Sequence, residues 1–346
     1  MYGERLSKAE KWDAEYDTFT EEEVEDLFSY LPASVPRLKP EHTLSHLYNF
    51  TGKGDFSTLL DATLIDIANI NADTFSVTTS GKSKVNIFSA ITTFVTDQQK
   101  RDEFAKSLMR NVASFNFEHV FIEKYDFFSR IFEHLLKGFN NAGGGKYAEY
   151  YTPHAVARIM AAILVKDAVT NVKVYDPSAG SGTLLMNIAH AIGEKNCSIY
   201  SEDISQKSSN MLRLNLILNN LSHSIPNIIK GNTISEPSYL KEKFDYIVSN
   251  PPFKLDFSDF RNDLDKDSFK ERFFAGIPNV PKAKKDSMSI YLLFIQHIMH
   301  SLSTTGKAAI VVPTGFITAQ SGIEKNIREA LINRGWLRGV VSMPSN

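Results

Sequence analysis

The stretch Val172-Lys173-Val174-Tyr175-Asp176-Pro177-Ser178-Ala179-Gly180-Ser181-Gly182 decides how this chain is read. A short β-branched run ends in an acid, a glycine turn follows, and a helical pattern runs from Leu184 to Ile192. Strand, glycine turn and helix in that order open a βαβ unit. Glycines at such a turn let the backbone approach a ligand at a helix N-terminus, where free N–H groups favour an anion. The third glycine of the dinucleotide fingerprint is missing, which disfavours a nicotinamide cofactor. A tight strand-to-helix turn with no ligand is the plain alternative.

Working outward, the same alternation continues. Ser198–Ile204 reads as a strand, Asn210–Leu221 as a helix and Ile225–Ile229 as a weaker strand. Asp245–Ser249 and Ala308–Val312 are apolar runs of the kind buried in parallel sheets, with helical patterns at Ile290–Leu302 and Ile323–Asn333. Leu337–Ser342 reads as a last strand. This βαβα order predicts an α/β fold, a Rossmann-like doubly wound sheet with helices on both faces. Upstream, Gly143-Gly144-Gly145 marks a joint, and the first ~140 residues are mostly helical. Phe104, Leu108 and Val112 recur at four-residue spacing, and a second stripe runs from Phe127 to Phe139. Thr74–Phe88, rich in Thr, Ser and Val, reads as a hairpin or irregular excursion. Two domains are expected, a helical one at 1–142 and a catalytic one at 143–346.

Composition bounds the function. Of 346 residues, 38 are basic and 40 acidic, so the formal charge of −2 excludes an all-over polycation but not a local basic patch. The lone Cys197 cannot form an internal disulfide, and no apolar run nears the ~20 residues of a membrane span. A cytoplasmic protein without a membrane segment is expected. The scattered histidines and single cysteine show no metal-ligand spacing, so no metal site is assigned.

Ligands of doubly wound sheets bind at the carboxyl ends of the strands. The second strand ends Tyr200-Ser201-Glu202-Asp203-Ile204, and an acid there can hydrogen-bond a ribose diol. Either Glu202 or Asp203 could do so, because alternate strand residues face opposite sides. The fourth strand ends Ser249-Asn250-Pro251-Pro252-Phe253, the most specific signal in the chain. Two prolines lack N–H groups and fix φ, so the Asn250 side-chain oxygen and the Pro251 carbonyl can face outward as acceptors. Phe253 adds a flat face, and the set suits a planar ring bearing an exocyclic –NH2.

Together these features resemble the amino-methylating class of S-adenosylmethionine-dependent methyltransferases. With Lys146-Tyr147-Ala148-Glu149-Tyr150-Tyr151-Thr152-Pro153-His154 and the upstream Phe132-Glu133-His134-Leu135-Leu136, the chain is similar to the methylation subunit of type I restriction–modification systems. The resemblance is strong from about Asp126 onward and weaker before it. It implies a class I methyltransferase fold binding S-adenosyl-L-methionine. Glu149, Tyr150, Tyr151, Thr152 and Pro153 would line the methionine end, and Asp176, Ser178, Gly180, Ser181, Gly182 and Thr183 would cradle its amino and carboxylate groups. The resemblance favours Asp203 as the ribose acid, with Ile204 beside the adenine. The family's usual Gly-Asp-[ST] is here Gly231-Asn232-Thr233, where the Asn232 amide can still reach the adenine.

Asn250, Pro251, Pro252 and Phe253 would act on the 6-amino group of an adenine flipped out of double-stranded DNA. Implied partners are a specificity subunit, a restriction subunit and a second copy of the chain. Related motifs also serve methyltransferases of ribosomal-RNA guanine and protein glutamine, and an inactive cofactor-binding scaffold is a further alternative. The segment Lys254–Asp286 holds 8 Lys/Arg and 7 Asp/Glu with interleaved Phe, and is expected to close over the flipped base and the DNA backbone, a mobile surface excursion being the alternative. Methyltransferases of this architecture add one more antiparallel strand, so a chain short of its last strand and C-terminal tail is expected.

Overall fold

The computed structural model describes residues 16–32, 35–72, 76–78, 84–86, 88–114 and 152–343. The Phe127–Phe139 stripe, the Phe132–Leu136 helix and the glycine joint lie outside the described residues. In the N-terminal part, α1 (Glu21–Tyr30) packs Val24 and Phe28 against Leu31 and Val35 in a cluster of its own, and helices α2 (Leu44–Asn49), α3 (Phe56–Ile70) and α4 (Gln98–Ala113) pack together. Thr20 caps α1 in a capping box with Glu23, and Asp97 caps α4 through the Lys100 N–H. The expected hairpin forms from β1 (Val77–Thr78) and β2 (Lys84–Val85), paired antiparallel. The buried face of α4 is Ala105 and Met109, one position on from the expected Phe104–Leu108–Val112 stripe. Phe104 instead sits edge-on to the exposed Phe94 at the surface.

In the C-terminal part, α5 (His154–Leu164) precedes β3 (Val172–Asp176), α6 (Thr183–Ile192), β4 (Cys197–Asp203), α7 (Gln206–Leu218), β5 (Ile228–Lys230) and β6 (Phe244–Ser249). Helix α8 (Tyr291–Ser301), β7 (Leu302–Ile310) and α9 (Gly322–Asn333) complete it. The strands form one parallel sheet in the order β5-β4-β3-β6-β7, bearing out the α/β reading. Val174, Ile199 and Val248 pack against Leu185, Met186 and Ile188 of α6 in one core, and Ala68 of α3 joins it. The chain order reverses between β3 and β6, the point at which doubly wound sheets bind ligands in the crevice outside the strand ends. No helix among the described residues is long and apolar enough to cross a membrane.

Three expectations are corrected. Leu337–Ser342 forms no strand, and Val340 and Val341 are exposed. Its β-branched residues have the propensity but pair with no neighbouring strand, and pairing is what makes a strand. The weak strand expected at Ile225–Ile229 is a 3-10 turn over Ser222–Asn227 with β5 after it, because Pro226 cannot donate to a ladder.

The segment after Phe253 is not a free lid. Its Phe257, Leu264 and Phe273 are buried with Leu293 and Phe294 of α8 in a second core. The Ala275 N–H donates to the buried Gln296 (2.8 Å), whose Nε2 donates to the Gly276 carbonyl (3.0 Å). The interleaved aromatics are largely spent on this core, with Phe274 left exposed.

Candidate active site

The site is built on the carboxyl ends of β3, β4 and β6 at the reversal. Asp176 ends β3 almost wholly buried, and its Oδ1 accepts from the Ser178 N–H at 2.9 Å. Burial pushes its carboxyl up to about 7, against the pull of that N–H. The Ser178 hydroxyl lies 2.7 Å from the Ser249 hydroxyl, the residue immediately before Asn250. The glycine turn is therefore tied directly to the strand that ends in Asn-Pro-Pro-Phe.

The two glycines of the turn do different work. At Gly182 (φ +89°) an added Cβ would fall 2.2 Å from Leu212 Cδ1, so this glycine lets α7 pack against the start of α6. At Gly180 (φ +54°) an added Cβ would meet nothing within 4 Å, so this glycine opens onto free space. Gly182 is the N-cap of α6 and has no side chain to cap it, which leaves the helix N-terminus available to an anionic group. Thr183 begins α6 buried, and the Ser181 carbonyl accepts from Asn215 Nδ2 at 2.9 Å.

Strand alternation decides between the two acids of β4. Glu202 is fully buried, where its carboxylate accepts from the Tyr175 hydroxyl (2.6 Å) and the Ser238 N–H (2.6 Å). Burial raises its pKa, making it a weaker acid, and the carboxyl is committed to the interior. Asp203 lies on the crevice side: Oδ2 accepts from the Gly180 N–H (2.9 Å) and Oδ1 from the Ser205 N–H (2.7 Å). Burial raises Asp203 as well. Ile204 beside it is exposed, an apolar flank with nothing covering it.

After β5, Asn232 Oδ1 accepts from the Ile234 N–H (3.0 Å) and the Ser235 N–H (3.3 Å), capping a turn. Its amide donors have no partner among the described residues. Thr233 was expected to touch a cofactor, yet it is buried and its hydroxyl donates to the Pro177 carbonyl at 2.7 Å. Its role is to join the two loops. Ser178 is likewise occupied within the protein.

Asn250 Nδ2 donates to Thr152 Oγ1 at 3.2 Å, with the side-chain oxygen free of partners among the described residues. Pro251 is buried, Pro252 half-buried, and Phe253 is 38 % exposed, standing edge-on to Tyr291. Pro153 is the N-cap of α5, which places Thr152 just ahead of that helix. Glu149, Tyr150 and Tyr151 lie outside the described residues. Hydrogen bonds tie several of the remaining candidates together: Asn250 to Thr152, Gly180 to Asp203, and Thr233 to Pro177 of the glycine loop. Sequence reasoning missed Ser249 and Ser205. Ser205 was legible as the N-cap of α7, where its side chain accepts from the Ser208 N–H.

The sheet order and its crevice define a class I methyltransferase fold. The chain belongs to the N-6 DNA methylase family, whose sequence profile matches residues 123–346. It is 28 % identical over 258 residues to the type I restriction enzyme MpnII methylase subunit of Mycoplasma pneumoniae, covering 71 % of this chain and 46 % of that protein. It is 25 % identical over 242 residues to the HindI methylase subunit of Haemophilus influenzae, covering 67 % and 50 %. The chain thus spans about half the length of the curated relatives it matches. A solved type I restriction-modification system methyltransferase subunit from Streptococcus thermophilus superposes with a TM-score of 0.70 over 96 % of this chain and 70 % of its own. At 21 % identity that likeness speaks to the fold alone.

Proposed function

We propose that this chain transfers a methyl group from S-adenosyl-L-methionine to the 6-amino group of adenine in double-stranded DNA, as the modification subunit of a type I restriction–modification complex. The observation that carries the reading is the Ser178–Ser249 contact, which joins the glycine turn to the residue preceding Asn250. A cofactor loop and an amine-binding motif so joined serve one transfer.

The residues fit the cofactor group by group. Asp176 offers a carboxylate to an ammonium, the uncapped start of α6 offers N–H groups to a carboxylate, and the space over Gly180 admits the chain between them. Asp203 suits a ribose diol, and Ile204 and the Asn232 amide suit an adenine. When bound, the cofactor supplies a methyl group made electrophilic by its sulfonium. The protein's own part is to hold and polarise the amine, whose lone pair is delocalised into the ring. Asn250 Oδ1 and the Pro251 carbonyl accept its two N–H groups, which frees the lone pair and stabilises the charge developing on nitrogen. Phe253 presents a face for the flipped base to stack on. The proton leaves after attack, so no base of shifted acidity is needed. We further propose a helical unit at 1–142, a catalytic unit at 143–346, and assembly with a specificity subunit, a restriction subunit and a second copy, in the cytoplasm.

Labelled cofactor offered with duplex DNA or with ribosomal RNA tests the reading, using the chain in its native complex. Label in N6-methyladenine of DNA is expected. Label in RNA or in protein instead overturns it.

A further inference from the structure

Arg272 is the one residue of the Lys254–Asp286 segment whose cationic head is fully buried among the described residues. It forms no ion pair with an acid there. Its Nη1 donates to the Thr233 carbonyl at 3.1 Å and its Nη2 to the Ile234 carbonyl. The guanidinium lies 4.2 Å from the Phe273 ring centre and 5.0 Å from that of Phe269. A desolvated cation held by two carbonyls and two aromatic faces, with the buried Glu202 carboxylate acting on it only at longer range, is an expensive arrangement, and removing it from water brings its affinity for the proton down to about 10. A surface segment needing only attachment could use its apolar core, which it already has in Phe257, Leu264 and Phe273.

What Arg272 grips is informative. Thr233 and Ile234 belong to the turn that Asn232 caps, and the Thr233 hydroxyl donates to Pro177 in the glycine loop. One side chain thus fixes two loops, the one after β5 directly and the one after β3 through Thr233. We infer that Arg272 is a positioning residue for the cofactor: it holds the Asn232–Ser235 turn, and through Thr233 the Pro177 loop, in the shape that receives an adenosyl group. The inference rests on the proposed methyltransferase reading. It also gives the segment after Phe253 a role on the cofactor side, distinct from closure over the base.

The test measures binding of S-adenosylhomocysteine by calorimetry, and steady-state methylation by the native complex. Arg272→Met is expected to weaken S-adenosylhomocysteine about tenfold or more, the effect of one hydrogen bond to a charged group. KM for the cofactor rises in step, while kcat at saturating cofactor and KM for DNA stay within about threefold. Arg272→Lys, able to reach one carbonyl, falls between. Thr233→Val removes only the link to Pro177 and weakens binding in the same direction. It decides the matter if Arg272→Met does not fold. A lowered melting temperature with unchanged affinity, or a lost kcat with unchanged cofactor KM, overturns the inference and leaves the methyltransferase reading standing. Failure of the unmodified complex to bind S-adenosylhomocysteine overturns both.

Discussion

The buried carboxyl of Asp176 is a source of instability that pH controls. Burial raises its pKa from the ordinary 3.8 to about 7. At about 1.4 kcal/mol per unit, the folded chain disfavours the charged form by roughly 4 kcal/mol. The folded state binds more protons than the unfolded state between pH 4 and 7, so stability falls as pH rises through that window and then levels off. Asp176→Asn keeps an oxygen for the Ser178 N–H and removes the charge. Urea unfolding of both proteins at intervals from pH 4 to 8 isolates the effect, because Glu202 and Asp203 titrate in both. The stability of the Asn variant relative to the parent is expected to climb with pH by a few kcal/mol, reaching its maximum above about pH 7. The same variant should lose S-adenosylhomocysteine binding, having given up the carboxylate offered to an ammonium. A stability difference independent of pH, or one that shrinks as pH rises, refutes the reasoning.

The other substitutions separate roles that share a motif. Gly182→Ala meets Leu212 in a left-handed backbone position and should destabilise by about 2–4 kcal/mol in urea unfolding. Gly180→Ala meets only open space and should lose about 1 kcal/mol of stability while cofactor affinity drops. Thr152→Val frees the Asn250 amide, and kcat should fall about tenfold or more with cofactor KM unchanged, Thr152→Ser restoring it. A rise in KM alone would return Thr152 to the cofactor side. Deleting residues 254–286 removes Arg272 and much of the second core, so circular dichroism should show a disrupted fold and cofactor binding should go with it.

Much of the fold was legible because parallel strands buried on both faces leave short apolar runs, as at Tyr246, Ile247 and Val248 of β6. The site was legible at the strand ends for the same topological reason. Glu202 and Asp203 could not be ranked by composition; the pleat separates them, one to Tyr175 and one to Gly180. The two glycines look alike in sequence, and only the neighbour Leu212 distinguishes them. Arg272 was not legible, because a cation in a charged, irregular segment carries no sign that it is buried. Leu337–Ser342 was misread because strand propensity says nothing of whether a partner is present. The packing of the 254–286 segment was not legible either, since the spacing of its aromatics does not reveal the helix they cover.

The central claim is that Asn250 receives an adenine amine beside a bound cofactor. Asn250→Ala, in the native complex and in cells, tests it through N6-methyladenine mapped across the host genome. The account predicts that methylation at this system's sites disappears while S-adenosylhomocysteine still binds. Methylation that persists in the Ala variant contradicts it.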